Sequence, residues 1–245
     1  MTQATRRVAL SAPWIDERDE ELVLETLRSG HLSLGPTGPR FEELLADAIG
    51  ARYCAAVSSG TAGLHLGMVL AGVGPGDEVI TSPYSFVASA NCAIYEGATP
   101  VFADIHPRTY NLDPEEVEAA VTERTKAIVA VAERYSELLS GIDGLELPLA
   151  DDPDHERSWF VYVVALPAGT DREAVIGTLT ERGIATARYL PCIHLQSYMR
   201  ERYGFREGMC PVSEDASART LALPFFTRLE RGAQERVTEI LSAAL

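Results

Sequence analysis

A short turn built from small residues is the stretch of this sequence best suited to chemistry. It reads Val57-Ser58-Ser59-Gly60-Thr61-Ala62-Gly63-Leu64 and lies between two apolar runs, at 53–57 and 64–71. That order predicts a strand, a turn and a buried helix. The first N–H groups of a helix are unpaired and partly positive, so they attract phosphate. Gly60 and Gly63 would let a ligand approach the backbone closely. The motif alone is compatible with a phosphate site, but an ordinary helix cap is the more frequent explanation for such a short turn.

Other side chains with catalytic potential are few. Lys126 is the only lysine, and every other basic residue except the histidines is an arginine. The 4 cysteines are widely spaced and have no metal-ligand pattern, so we predict no metal site. We expect His65 to pack in the core. His194 lies in a locally basic segment, 188–206, which is either a site for a nucleotide diphosphate or a solvated helix face.

Composition excludes several classes of function. The chain has 245 residues and a formal net charge of −15, which argues against a nucleic-acid or anionic-membrane surface. Its longest apolar runs are too short to span a bilayer, and the polar N-terminal residues do not resemble a signal peptide. We therefore expect a cytoplasmic protein in a reducing compartment, with no membrane and no nucleic-acid partner.

Strands and helices alternate in the first half of the sequence, after helices predicted at 16–30 and 40–49. The predicted strands are 54–58, 78–82, 100–103 and 127–131, and the helices between them are 62–71, 85–96 and 114–122. Such alternation favours an α/β fold, with a parallel sheet covered by helices on both faces. Ligands bind such sheets at the carboxyl ends of the strands. The turn at 59–62 and the segment at 83–86 should therefore line one crevice.

The pattern breaks at Val131. The fourth strand runs directly into a helical pattern at 132–139, although a parallel strand normally needs a turn before its crossover helix. After Gly144 the strands are predicted at 159–166 and 184–190, and the helices at 170–182, 195–202, 213–221 and 230–244. We predict two domains, a large one at 1–132 and a smaller α+β one at 133–245.

In its order of motifs the chain resembles the DegT-type sugar aminotransferases, which are pyridoxal-phosphate enzymes of fold type I in the aspartate aminotransferase superfamily. The matching stretches include Arg28-Ser29-Gly30, Leu34-Gly35-Pro36, Ser58-Ser59-Gly60-Thr61-Ala62, Gly76-Asp77-Glu78-Val79-Ile80, Ser85-Phe86-Val87-Ala88, Arg124-Thr125-Lys126-Ala127-Ile128, Tyr189-Leu190-Pro191 and Leu221-Ala222-Leu223-Pro224. The resemblance implies an incomplete fold-type-I large domain with a parallel-rich sheet, followed by a smaller α+β domain.

The resemblance also implies roles for particular residues. The turn with Gly60, Thr61 and Ala62 would hold the phosphate of pyridoxal phosphate through backbone N–H groups, and Phe86 would stack on its pyridine ring. Tyr189 and His194 would face the sugar. The implied substrate is a nucleotide-linked keto-sugar, in the biosynthesis of polysaccharides or antibiotic sugars.

One departure from the family puts catalysis in doubt. Family members carry a further stretch between the Lys126 strand and the helix that starts near Glu133. It holds the aspartate that pairs with the pyridine nitrogen and the lysine that forms the Schiff base, and nothing here matches it. Lys126 matches a family position at the start of a strand. Asp104 ends the third predicted strand, whereas the aspartate that pairs with the pyridine nitrogen lies on a later strand in the family. We therefore predict no catalytic residue, and cofactor binding that is weak or lost.

Three interpretations follow from this departure. The chain is a family protein without its catalytic middle, or a non-catalytic binding subunit paired with an intact paralogue, or a deletion product without function. Active sites in this fold type form between two subunits, so we expect a homodimer or a heterodimer with a paralogue. A shortened sheet would also leave an exposed edge, a liability for a soluble monomer.

Overall fold

The computed structural model describes residues 7–33, 35–129, 145 and 161–245. The chain divides into two compact units: one is Pro13–Gly63, and the other combines Met1–Ala12 with Leu64–Leu245. Within the described ranges, no helix has the length and apolar character needed to cross a membrane.

The Pro13–Gly63 unit contains the two predicted N-terminal helices. Helix α1 (Glu17–Ser29) begins with a reciprocal capping box between Asp16 and Asp19, and Gly30 ends it in the left-handed conformation, with φ of 72°. Helix α2 (Thr37–Ile49) begins before the predicted Arg40 and ends at Gly50, which has φ of 67°. Both predicted stop signals are confirmed, because glycine tolerates a positive φ without steric cost.

The first predicted strand, 54–58, is wrong. The segment before the turn has no strand structure, and Tyr53 is 83% exposed. The N–H of Ala56 donates to a carboxylate oxygen of Glu42 at 2.8 Å instead of to a neighbouring strand. A strand exists only when its backbone groups have a ladder partner. None of the described residues supplies one to this segment.

The remaining predicted strands of the first half form a three-stranded parallel sheet of order β2-β1-β3. The strands are β1 (Glu78–Thr81), β2 (Thr99–Phe102) and β3 (Thr125–Val129), and their connecting helices are α4 (Ala88–Tyr95) and α5 (Pro114–Ala120). Helix α3 (Gly60–Leu70) precedes β1. The core beside this sheet contains Met68, Val73, Val79, Cys92, Ala93, Ala98 and Val129. Because α4 starts at Ala88 and not at the predicted Ser85, Phe86 lies in a loop.

The second sheet is antiparallel, with order β4-β6-β5. Its strands are β4 (Tyr162–Ala165), β5 (Ala187–Arg188) and β6 (Thr220–Leu223), and its helices are α6 (Arg172–Glu181), α7 (Ser197–Tyr203), α8 (Pro211–Arg219) and α9 (Arg231–Ala244). A short 3-10 helix spans Ile193–Leu195. The sequence analysis placed β6 at the end of a helix and missed it. All four residues of β6 are buried between two partner strands, so tertiary pairing decides the structure of this apolar run.

The predicted cap of α6 is also corrected. Asp171, and not Thr170, is the N-cap, and its carboxylate accepts the N–H groups of Glu173 and Ala174. The strand predicted at 184–190 is reduced to β5, with Ile184 forming a separate bridge to Val8.

The predicted domain boundary at 132/133 lies outside the described residues, as do the junction at Val131 and the helix predicted at 132–139. The two-domain division therefore stays a prediction. In the described ranges, residues from both sides of that boundary share buried clusters. Tyr84 and Ile105 pack with Ala216, and Ala90 packs with Ile193 and Met199.

A charged pair fixes the start of β1. Glu78 is 7% exposed and accepts hydrogen bonds from the Thr122 hydroxyl, at 2.5 Å, and from the Arg124 guanidinium, with Nε at 3.0 Å. These hydrogen bonds, from Thr122 first and then Arg124, hold the pKa of Glu78 below its usual value, although burial opposes them. The ionised carboxylate thus stabilises the loop before β3.

We expect Glu78→Gln to lower the free energy of unfolding by about 1–2 kcal/mol at neutral pH, because a charged acceptor is lost. A folded-state pKa below the unfolded value gives stability that is present above the unfolded pKa, about 4.3, and is lost as pH falls through the folded pKa. The difference between wild type and variant in urea denaturation should therefore shrink below about pH 4. A difference that stays constant from pH 7 to pH 3 would contradict this assignment.

Candidate functional site

The turn before α3 is a helix cap with two open amides. The Ser59 hydroxyl oxygen accepts the N–H of Ala62 at 3.1 Å, and the Ser59 carbonyl accepts the N–H of Gly63 at 3.1 Å. Gly60 and Thr61 are the first residues of the helix, so their N–H groups have no acceptor within it. Of the three residues predicted to hold phosphate, Ala62 thus already uses its amide within the chain, and Gly60 and Thr61 can offer theirs to an anion.

The space in front of Gly60 is open. A methyl group built on Gly60 would meet no atom of the described residues within 4 Å, and the residue itself is exposed. The same methyl on Gly63 would lie 3.6 Å from the Val57 side chain, an ordinary contact. Neither glycine is needed to avoid a clash with the described residues, so their steric freedom would allow a bound group to approach the turn.

Phe86 presents its ring to solvent at the carboxyl end of β1. It is 63% exposed, and its carbonyl accepts both the N–H of Ser89, at 3.0 Å, and the Ser89 hydroxyl, at 2.9 Å. The backbone at Phe86 is therefore fixed while the ring face stays open. An exposed aromatic ring with a fixed backbone is suited to stacking on a planar group.

Lys126 lies at the amino end of the parallel sheet, opposite to the carboxyl end at which Phe86 lies. It is the second residue of β3, and it falls between the register pairs Glu78–Thr125 and Val79–Ala127 at the start of β1. Phe86 lies in the loop that comes after Thr81, the last residue of β1. At a rise of about 3.3 Å per residue, the carboxyl end of β3 is about 10 Å further along the strand than Lys126. The side chain is exposed at this amino end.

Tyr189 is held beside the loop that carries Phe86. Its carbonyl oxygen lies 3.1 Å from the Tyr84 hydroxyl, which also lies 2.8 Å from the Thr220 hydroxyl, and the two tyrosine rings meet edge to face at 6.2 Å. In the same region the N–H of Ile193 donates to the Pro83 carbonyl at 2.9 Å. The structure therefore places Tyr189 on the carboxyl-end side of β1, and its contact with a sugar stays a prediction.

His194 has surroundings that the sequence analysis did not foresee. It is 0% exposed, with Nε2 at 2.9 Å from the Glu214 carboxylate. Burial by itself raises the pKa of Glu214. Hydrogen bonds from the Gly208 N–H, from His194 and from the Cys210 N–H lower it by more than burial raises it, so the pKa is below its usual value. Glu214 thus ties His194 to the loop before α8. A contact between His194 and substrate stays a prediction.

The predicted basic segment is only partly free to bind an anion. Arg188 pairs with the Glu173 carboxylate, mainly through hydrogen bonds that raise the pKa of Arg188 and lower that of Glu173. Arg200, Arg202 and Arg206 are exposed, and Arg202 lies over the ring of Tyr203 at 5.3 Å. Both interpretations of this segment, an anion site and a solvated helix face, therefore stay predictions.

The residue that sequence reasoning undervalued is Asp104, which follows β2. It is 7% exposed, and its carboxylate accepts the N–H groups of Val212 and Ser213, both at 2.9 Å, and the Ser213 hydroxyl at 2.5 Å. These are the first-turn donors of α8, whose own N-cap residue, Cys210, makes no side-chain capping bond. The missing cap before Pro211 was the signal that a distant carboxylate closes this helix.

Other candidate groups do not form a reactive cluster. His65 is not in the core as predicted: its side chain is 40% exposed, with Nε2 at 2.5 Å from Glu96 and its ring edge against Tyr95. Burial raises the pKa of Cys192 to about 11 and that of Cys210 to about 12, so both stay thiols at neutral pH. Among the described residues, no group of three histidine, cysteine or acidic side chains is placed to hold a metal ion.

Comparison with known proteins decides the family. The model of the DegT/DnrJ/EryC1/StrS aminotransferase family matches residues 13–132 and 130–242. The chain belongs to this family. The recognised resemblance is thereby confirmed, and aminotransferases of this DegT family depend on pyridoxal phosphate.

Curated relatives match only part of their own length. The spore coat polysaccharide biosynthesis protein SpsC of Bacillus subtilis is 53% identical over 121 residues, which is 49% of this chain and 31% of that protein. The UDP-2-acetamido-2-deoxy-3-oxo-D-glucuronate aminotransferase of Pseudomonas aeruginosa is 47% identical over 118 residues, which is 48% of this chain and 33% of that protein. The chain thus spans about a third of each of these DegT-family relatives.

Solved structures confirm the predicted α/β fold class. The aminotransferase TlmJ from Streptoalloteichus hindustanus superposes with a TM-score of 0.83, covering 98% of this chain and 99% of that one at 22% identity. This similarity establishes the fold-type-I aminotransferase fold for the chain.

The residues present fit the cofactor only in part. The open amides of Gly60 and Thr61 suit a phosphate, and the exposed ring of Phe86 suits a pyridine, each taken alone. Covalent attachment does not fit, because Lys126 is the only lysine in the sequence and lies at the far end of the sheet from Phe86.

Proposed function

We propose that this chain is a binding member of the sugar aminotransferase family, which holds pyridoxal phosphate weakly and without a covalent bond. The family resemblance implies that Gly60, Thr61 and Ala62 contact the phosphate and that Phe86 stacks on the ring. The observation that carries the proposal is the position of Lys126 at the amino end of β3. An amine there cannot serve a ring bound at the carboxyl ends of the strands.

The proposed second ligand is a nucleotide-linked keto-sugar. One relative at 47% identity is by name an aminotransferase of a UDP-linked sugar, and another at 53% identity is a polysaccharide biosynthesis protein. Tyr189, at the carboxyl-end side of β1, supports a sugar contact there. His194 would contact the sugar only after Glu214 releases it.

A second candidate function is that of a non-catalytic subunit that pairs with a copy of itself or with an intact paralogue. It is favoured by the Pro13–Gly63 unit, in which α1 has no buried residue. The exposed large apolar side chains of its two helices are Leu22, Val23, Leu24, Leu27, Phe41, Leu44 and Ile49. Apolar surface on this scale usually marks an interface. A deletion product without function would show the same exposure but no ligand binding.

The cofactor site is tested by binding measurements on two phenylalanine variants. We expect Phe86→Ala to weaken pyridoxal phosphate binding several-fold, because a stacked ring contributes about 0.5–1.5 kcal/mol. Phe41→Ala is the matched control, since Phe41 is also a largely exposed phenylalanine, at 54% against 63%. Equilibrium dialysis with pyridoxal phosphate and with unphosphorylated pyridoxal separates the contribution of the phosphate to binding from that of the ring. Equal affinities of wild type and both variants for pyridoxal phosphate would contradict the proposed site.

A further inference from the structure

Tyr84 lies two residues before Phe86, in the loop after β1, and is 9% exposed. The backbone of this loop is held on both sides of the Tyr84 side chain. The N–H of Tyr84 donates to the Ser82 hydroxyl at 3.0 Å. The Phe86 carbonyl accepts the Ser89 hydroxyl at 2.9 Å. Contacts made by the Tyr84 hydroxyl are therefore additions to a loop that already has its own hydrogen bonds.

Three oxygen atoms meet at the end of the Tyr84 side chain. Its Oη lies 3.1 Å from the Tyr189 carbonyl oxygen and 2.8 Å from Thr220 Oγ1, and the Thr220 hydroxyl also hydrogen-bonds that carbonyl. A carbonyl oxygen has two lone pairs, so it can accept from both hydroxyls. Thr220 is 0% exposed, so bulk water does not compete for these hydrogen bonds. The backbone of Tyr189 is thus held by one side chain from the β1 loop and one from β6.

The chain on either side of Tyr189 is held by other contacts. Before it, β5 pairs with β6. After it, the Leu190 carbonyl accepts the Ser217 hydroxyl at 2.8 Å. Further along, the Ile193 N–H donates to the Pro83 carbonyl at 2.9 Å. Loss of one hydroxyl at the Tyr189 carbonyl should therefore shift this residue without unfolding the segment around it.

The Tyr84 ring meets two other rings edge to face, that of Tyr110 at 6.0 Å and that of Tyr189 at 6.2 Å. Tyr110 has φ of 55°, in the left-handed region that non-glycine residues seldom adopt. A closed turn holds it there, because its N–H donates to the His106 carbonyl at 2.9 Å and the His106 N–H donates to the Asn111 carbonyl at 2.9 Å. A strained conformation of this kind persists where its surroundings fix it. Ring contacts thus orient the Tyr84 side chain independently of its hydroxyl.

We propose that Tyr84 is a positioning residue for the sugar site, which sets the place of Tyr189 through the Tyr189 carbonyl. This inference rests on the sugar contact proposed for Tyr189, whose backbone is held while the residue stays partly exposed. A binding group must be held within about 0.5 Å of its productive position by the residues around it. Tyr84 would therefore act on sugar affinity without touching the sugar. The Phe86 turn has its own hydrogen bonds, so the ring site should not depend on the Tyr84 hydroxyl.

Tyr84→Phe removes the hydroxyl and keeps the ring contacts. In isothermal titration calorimetry, its dissociation constant for UDP-2-acetamido-2-deoxy-3-oxo-D-glucuronate should rise about fivefold, which corresponds to about one net hydrogen bond. This probe is the keto-sugar in the name of the Pseudomonas aeruginosa relative. In equilibrium dialysis, the affinity of the variant for pyridoxal phosphate should equal that of wild type. A general loosening of the loop would lower both affinities, so the split between the two ligands identifies a positioning role.

Two further variants complete the test. Thr220→Val removes the second hydroxyl at the Tyr189 carbonyl and should also weaken keto-sugar binding, independently of the Tyr84 ring. Tyr198→Phe is the matched control, because the Tyr198 hydroxyl donates to Asn91 Oδ1 at 2.9 Å and links α7 to α4 across a similar gap in sequence. It should leave both affinities unchanged.

The outcomes separate the positioning role from the proposed function. Wild-type affinity for the keto-sugar in both Tyr84→Phe and Thr220→Val would overturn the positioning role and leave the proposed sugar site in place. Equal losses of keto-sugar and pyridoxal phosphate affinity in Tyr84→Phe, or an equal loss of keto-sugar affinity in Tyr198→Phe, would also overturn it. A wild-type chain without affinity for the keto-sugar would overturn the proposed sugar site and the positioning role together.

Discussion

Asp104→Ala should be the most destabilising single substitution proposed for this chain, with a loss of about 3 kcal/mol or more in the free energy of unfolding. The buried carboxylate accepts three hydrogen bonds from the first turn of α8. Its removal leaves the Ser213 N–H and hydroxyl without their acceptor in a buried site, and the Val212 N–H without its acceptor in a partly buried one. Each unsatisfied buried donor has a desolvation cost that water cannot offset there.

The matched control is Asp113→Ala, which also removes an aspartate that caps a helix. Asp113 accepts the N–H of Glu115 at 3.0 Å at the exposed start of α5, where water can replace it. We expect a loss of about 1 kcal/mol from that variant. Urea denaturation of both variants at neutral pH gives the comparison. Equal losses for Asp104→Ala and Asp113→Ala would show that the link between β2 and α8 adds nothing to an ordinary cap.

The second large effect concerns turnover. Purified alone and supplied with pyridoxal phosphate, an amino donor and a nucleotide-linked keto-sugar, the chain should show no transaminase activity above background. In aminotransfer a lysine serves as imine partner and proton carrier, and the cofactor supplies the electron sink. Loss of a catalytic nucleophile lowers rates by a factor on the order of 10⁶. The assay follows consumption of the amino donor, with an intact DegT-family aminotransferase as positive control.

Mixing experiments extend the turnover prediction. If this chain acts as a non-catalytic subunit, adding it to an intact paralogue should change the paralogue's KM or kcat in proportion to the amount added. A purified preparation of this chain alone that turns over substrate at a normal rate would contradict the whole account. No change in the paralogue would leave the binding-member proposal and remove the pairing with an intact paralogue.

Local signals predicted the helices well. Asp16, Gly30, Gly50 and Asp113 all lie where their capping chemistry predicted, because a cap depends on a few neighbouring residues. The three strands of the parallel sheet were also predicted, since each is a short apolar run between turn residues. These features needed no knowledge of distant parts of the chain.

Features that depend on distant partners were missed. The run at 54–58 has the composition of a strand but lacks a ladder partner among the described residues, so it forms none. Conversely, Thr220–Leu223 became a central strand because β4 and β5 pair with it on both sides. Tertiary context overrides propensity in both cases.

The candidate site was predicted as a set of residues but not as a set of contacts. The sequence proposed Phe86 and the turn at Gly60 as binding residues, which are exposed in the structure and whose roles stay predictions. It could not show that Asp104 closes α8 or that Glu214 holds His194, because these partners lie far apart in the chain. Buried hydrogen-bond networks of this kind have no periodic signature in sequence.

The central claim is that no amine of this chain serves the cofactor site, and covalent trapping tests it most directly. The protein is incubated with pyridoxal phosphate, its visible spectrum is recorded, borohydride is added, and any pyridoxyl adduct is mapped by mass spectrometry, with Lys126→Arg as control. We predict no stoichiometric adduct on Lys126 and identical spectra for wild type and variant. A stoichiometric adduct on Lys126, accompanied by transaminase turnover that Lys126→Arg abolishes, would contradict both the placement of the site and the proposed loss of catalysis.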